Sequence, residues 1–113
     1  MKEIKAILKP AMLGTVLSAL RHIEGLPGIT ISEVRGFGRT RKAVHATVPE
    51  LDILEYEKRI KLEIVVPDQI EEITIKTIAE SARTGGRGDG KIFVSEILDT
   101  IKVRTGERGA GAI

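Results

Sequence analysis

Between Ala82 and Val94 the chain runs Ala-Arg-Thr-Gly-Gly-Arg-Gly-Asp-Gly-Lys-Ile-Phe-Val, and Arg104-Thr105-Gly106-Glu107 follows a short way on. A stretch so dense in glycine, with threonine, aspartate and cations interleaved, suits one kind of chemistry: holding a phosphate chain. Backbone N–H groups approach an anion closely only where no Cβ intervenes, and successive N–H groups in a tight turn form an anion-binding concavity. Lys91 would add a point charge and Arg104 a forked pair of hydrogen bonds. The plainer alternative is a glycine-rich hairpin turn whose charges face water.

Composition narrows the partners. At 113 residues the chain reads as a single domain, 1–113, large enough for one core and small enough for self-association to help. Hydrophobic residues at 42% and charged residues at 30% are an ordinary globular balance. Aromatics at 3% leave little for a base-stacking platform, and the net charge of +2 is dispersed, so no nucleic-acid partner is expected. With no cysteine there is neither a disulfide framework nor a thiolate metal site. His22 and His45 lack companions at ligand spacing and read as ordinary polar residues. No apolar run reaches spanning length, and Lys2, Glu3 and Lys5 are unlike a secretion signal. A cytoplasmic protein without membrane insertion is the expectation.

The elements that must position the glycine-rich stretch follow from periodicity. Ile4, Ala6 and Leu8 alternate and predict a strand from Lys2 to Leu8, ended by Pro10. Leu13, Val16, Leu17 and Leu20 predict an amphipathic helix that stops near Gly25-Leu26-Pro27-Gly28. Ile29 to Val34 alternates again, and Arg59 to Val66 is the clearest strand in the chain. Asp68 and Glu71 have capping-box spacing for a second helix with a stripe of Ile70, Ile73, Thr77 and Ile78. Lys91 to Ile97 and Ile101 to Arg104 read as short final strands. The order β-α-β-β-α-β, with a small extra strand, predicts an α+β, ferredoxin-like sandwich with both helices on one face of an antiparallel sheet. The other face then needs cover, which predicts a closed cyclic oligomer. About twenty residues of weak periodicity between Gly38 and Lys58 predict a long partner-binding loop or, failing that, a projecting hairpin.

These residues together resemble the P-II nitrogen-regulatory signal-transduction proteins. The matching stretches are Lys9-Pro10, Val34 to Arg39, Lys61 to Pro67, Ala82 to Gly85, Gly88 to Val94 and Arg104 to Glu107, in order over essentially the whole chain. The resemblance implies a homotrimer with ATP or ADP in clefts between subunits, with Mg²⁺ accompanying ATP. It also implies a long loop, the family's T-loop, at about 38–57 that docks onto a transporter, enzyme or regulator. The phosphate loop would be about 83–91 and the C-terminal strand and tail about 101–113. Carried over by position, one wall of the nucleotide site would comprise Thr30, Gly36, Phe37, Gly38 and Arg39. The opposing wall would comprise Thr84, Gly88, Asp89, Gly90, Lys91, Lys102 and Arg104. Lys102 and Arg104, two apart on the expected strand, would share a face.

The chain also departs from the family pattern. The T-loop region reads Ala46-Thr47-Val48-Pro49-Glu50-Leu51-Asp52, where typical members carry Tyr-Arg-Gly-Ala-Glu-Tyr. The nucleotidylated tyrosine aligns with Asp52, the phosphorylated serine with Glu50 and the channel-inserting arginine with Val48, so neither covalent switch is expected. Tyr56, the chain's only tyrosine, reads as a packing residue. In the family, 2-oxoglutarate chelates a Mg²⁺ shared with ATP. Here the metal-holding glutamine is Thr40 and the metabolite-facing lysine is Arg59, which leaves 2-oxoglutarate sensing open. No nucleophile–base pair or metal cluster is visible, so a non-enzymatic regulator is expected, with Arg39 as the residue that reports the phosphates to the loop. The alternative is a trimeric interaction module whose diverged loop serves another transporter or whose site takes another small anion.

Overall fold

The computed structural model describes residues 1–36 and 56–113. Its four strands are β1 (Lys2–Leu8), β2 (Thr30–Gly36), β3 (Glu57–Val66) and β4 (Gly90–Glu96). Helix α1 (Leu13–Leu20) joins β1 to β2, and α2 (Glu71–Ala82) joins β3 to β4. All pairings are antiparallel and the sheet order is β2-β3-β1-β4, the ferredoxin-like arrangement expected from the element order.

The core follows from the period of two in the strands. Ile4, Ala6 and Leu8 of β1 and Ile60, Leu62, Ile64 and Val66 of β3 all point to one face and are buried. Val16 and Leu20 of α1 and Ile78 and Ala82 of α2 close over them, so both helices lie on that face. Each fully buried leucine or isoleucine removes enough apolar surface from water to stabilise the fold by about 1.5–3 kcal/mol. Residues of opposite parity, including Lys5, Ile7, Lys61, Glu63, Val65, Lys91 and Phe93, form the other face. Phe93 is 53% exposed there.

Three expectations need correction. Asp68 does not cap α2. It opens a short 3-10 turn, Asp68–Ile70, and Ile70 is the helix N-cap with no side-chain cap bond. The Asp68 carboxylate instead accepts the N-terminal ammonium at 2.9 Å, with Lys2 3.8 Å away. The fully buried stripe of α2 is Thr74, Ile78 and Ala82; of the expected Ile70, Ile73, Thr77 and Ile78, Ile78 is buried, Ile70 packs half-buried against the core, and Ile73 is 48% exposed. Thr74 tolerates full burial because its hydroxyl donates to the Ile70 carbonyl at 2.7 Å.

The segment Ile101 to Arg104 is not a strand. Ile101 makes a single bridge to Arg108, and the residues between form a turn. The Lys102 N–H donates to Glu107 O at 2.8 Å and the Gly106 N–H to Lys102 O at 2.7 Å. These bonds reverse the chain, with Gly106 at φ +75°, instead of extending a ladder.

Candidate functional site

The glycine-rich loop closes the sheet at one end. Leu8 pairs with Ile60 on one side and Gly90 on the other, so β1, β3 and β4 meet there. Gly90 has φ +116°, and a Cβ on it would lie 1.9 Å from the Ile7 carbonyl oxygen. Only glycine fits so close to another backbone. Gly85 and Gly88 also take positive φ, which turns the loop between α2 and β4 in very few residues.

The acid of the loop works inside it. The Asp89 carboxylate accepts the backbone N–H groups of Thr84 and Gly85, each at 2.9 Å, and the Thr84 hydroxyl. Lys9 places its ammonium 3.1 Å from the same carboxylate and 3.3 Å from Thr84 Oγ1. The Gly86 N–H donates to Thr84 Oγ1 at 3.1 Å. The Thr84 hydroxyl first, then the two N–H groups and Lys9, hold the Asp89 carboxyl well below the usual carboxylate range. Asp89 therefore stays ionised near neutral pH and shapes the loop through these contacts.

Cations surround this frame. Lys91 stands beside Ile7 on the open face and makes no ion pair with any described residue. Arg59 brings Nη2 to 3.1 Å from where a Cβ of Gly88 would be, so the guanidinium borders the loop directly. The Glu57 carboxylate holds the same nitrogen at 2.5 Å, and Nη1 donates to the Lys58 carbonyl at 2.8 Å. A shallow depression of about 290 Å³ beside the loop is lined by Ala82, Arg83, Asp89, Gly90 and Lys91 with apolar neighbours. Gly36 ends β2 at this same end of the sheet, opposite Glu57. Phe37, Gly38, Arg39 and Thr40 lie outside the described residues, as do His45, Val48, Glu50 and Asp52.

Lys102 and Arg104 are elsewhere. Strand β4 runs antiparallel to β1, and the six register steps from Leu8–Gly90 to Lys2–Glu96, at about 3.4 Å each, carry the chain roughly 20 Å away. Beyond them the Ile97 N–H bonds the Met1 carbonyl at 3.0 Å. In the turn that follows, Lys102 is 3.5 Å from Glu107, while Arg104 is exposed and makes no ion pair with a described residue. Asp99 holds the turn closed through Arg108 Nε at 2.9 Å and Nη2 at 2.5 Å. Thr30 lies at the start of β2, on a depression of about 350 Å³ shared with Glu3, Pro27, Gly28, Glu63, Val65 and Ile113.

Within one protomer, Gly36 and the loop residues Thr84, Gly88, Asp89, Gly90 and Lys91 share one end of the sheet, whereas Lys102 and Arg104 share the other. Lys9, Glu57, Asp99 and Arg108 were not singled out as site residues. Their importance comes from pairings distant in sequence, such as Lys9 with Asp89 and Asp99 with Arg108, which no local pattern announces.

Known proteins place this arrangement in a family. The family model described as Nitrogen regulatory protein P-II matches residues 1–107. The chain is 44% identical to a Nitrogen regulatory protein P-II of Bradyrhizobium diazoefficiens and 42% identical to Nitrogen regulatory protein P-II 1 of Escherichia coli, over the full length of all three chains. A crystal structure of Arabidopsis thaliana PII bound to citrate superposes with a TM-score of 0.78 at 43% identity, covering 99% of this chain and 91% of that one. With a family match over residues 1–107, more than 40% identity along its length and a shared fold, the chain belongs to the P-II family of nitrogen regulatory, signal-transducing proteins.

Proposed function

We propose that this protein is a non-enzymatic regulator that binds ATP or ADP in grooves between the protomers of a homotrimer and thereby controls docking of its long loop onto a protein target. The observation that carries the reading is the separation of the cations. Lys91 and Arg59 flank the glycine loop, strand β4 carries the chain roughly 20 Å along the sheet before the turn that bears Lys102 and Arg104, and a polyphosphate gripped by both sets would need two chains. In a closed ring with head-to-tail interfaces, the loop end of one protomer would meet the turn end of the next.

The residues fit such a ligand. Gly85, Gly88 and Gly90 keep the loop backbone free of Cβ atoms, and Lys91 has no described partner to give up. Thr30 offers a hydroxyl beside the apolar Val65 and Pro27, which suits a nucleoside. The bound species shifts the loop equilibrium only by the difference in its affinity for the two loop states. Mg²⁺ accompanying ATP would be held chiefly by the phosphates, since Asp89 is occupied within its loop. Whether 2-oxoglutarate joins them turns on Thr40 and Arg59. A cytoplasmic protein recruited to its target through the loop completes the reading; no helix among the described residues is long and apolar enough to cross a membrane.

Titration calorimetry tests it. ATP and ADP should bind with one class of site per chain, and Lys91→Ala should weaken both by about 10- to 100-fold, the worth of a charge-assisted phosphate contact. Absence of nucleotide binding overturns the reading. Target binding that ignores nucleotide and survives Lys91→Ala would instead identify an interaction module with a diverged loop.

A further inference from the structure

Two cations border Gly88, and each is held by an acid, but the two holds differ in kind. Lys9, with Cε 3.7 Å from where a Cβ of Gly88 would be, is paired with Asp89. That carboxylate is pinned by Thr84 and Gly85 as well, so it has no freedom to leave. Arg59 is paired with Glu57, two residues earlier on the same face of β3. Glu57 makes no other hydrogen bond or ion pair with a described residue, and its side chain is 58% exposed against 24% for Arg59. The covered arginine is the fixed member of the pair and the exposed glutamate the displaceable one.

We infer that Glu57 is a specificity-determining residue of the anion site at Gly88: its tethered carboxylate occupies the Arg59 guanidinium and competes with any phosphoryl group that binds there. The inference rests on the reading of the groove as a nucleotide site. A tethered competitor acts at an effective concentration on the order of millimolar, so it raises the Kd of every ligand that engages Arg59 by one common factor. A ligand that does not reach Arg59 is untouched. Glu57 therefore tunes how strongly the site favours a phosphorylated ligand over a bare nucleoside. A phosphoryl dianion displaces it readily, because it carries more charge than a carboxylate and accepts the same forked hydrogen bonds. Glu57 is also the first residue of β3.

The experiment is a double-mutant cycle on the full chain, with Glu57→Gln, Arg59→Gln and the double variant, titrated with ATP, tripolyphosphate and adenosine. Glu57→Gln should tighten ATP and tripolyphosphate by about three- to tenfold and leave adenosine unchanged. In the Arg59→Gln background the same change should yield no gain. That arm separates release of Arg59 from a general loss of negative charge, which would tighten anions in either background. ATP bound equally or more weakly by Glu57→Gln, or a gain that persists without Arg59, overturns the role of Glu57 while the nucleotide reading stands. ATP bound by neither the parent nor any variant overturns both.

Discussion

Asp89 contributes to the glycine-rich loop from within, by holding its backbone. Its carboxylate gathers Thr84, Gly85 and Lys9 into one frame. Because those donors favour the ionised form, the folded-state pKa lies below the unfolded value of about 3.9. The sign follows: the folded state binds the proton less readily, so the stabilisation is fully present above about pH 4 and is lost as pH falls through the lowered folded value. Asp68, held down by the N-terminal ammonium, and Asp99, held down by Arg108, act in the same direction. Thermal melts of the parent and Asp89→Asn from pH 2 to 7 should show the parent ahead above pH 4, with the gap closing toward pH 2. A gap independent of pH would contradict the ionised frame.

Among the elements, the turn after β4 is closed by a surface ion pair, Asp99 with Arg108. Its apolar residues do not anchor it, since Val103 is 99% exposed and Ile101 52%. Its closure depends on Asp99 with Arg108, the Gly109 N–H on the Thr100 carbonyl at 2.9 Å, and the Lys102–Glu107 backbone bond. Removing Asp99 leaves Lys102 and Arg104 on a looser support whose ordering must be supplied on binding. Asp99→Ala should weaken ATP binding by about three- to tenfold, the cost of ordering such side chains, with little change in melting temperature. The exchanged pair Asp99→Arg with Arg108→Asp should recover most of the loss. Calorimetry and a melt on the same samples separate the two effects, and a fall in melting temperature that matches the affinity loss would contradict a positioning role.

At the scale of the molecule, half of the sheet is finished and half is not. The helix-covered face is closed by Val16, Leu20, Ile78 and Ala82, whereas the other face mixes Lys5, Lys61 and Glu63 with Ile7, Val65 and exposed Phe93. Leu98, 95% exposed, lies just beyond it. A chain of 113 residues gains from covering such a face with copies of itself. Sedimentation equilibrium should give three times the 12.3 kDa chain mass, and Phe93→Asp should lower it. A monomer in the parent protein would remove the basis for a groove between chains.

Much of this was legible in one dimension because it is periodic or local. Alternation in Ile4-Ala6-Leu8 and Leu62-Ile64-Val66 marks strands, helical spacing in Val16 and Leu20 marks a helix, and glycines between cations mark the loop. Those signals determined the element order, the sandwich and the kind of ligand chemistry to expect. What tertiary structure alone decided is which charges meet. Asp68 meets the N-terminal ammonium from across the fold and does not cap α2. Thr74 entered the core because its own carbonyl neighbour satisfies it, and Lys102 parted from Lys91 because an antiparallel strand carries the chain to the far end. Ion pairs such as Lys9–Asp89 and Asp99–Arg108 depend on distance in space, and a charged residue in a sequence carries no mark of the partner that folding will bring to it.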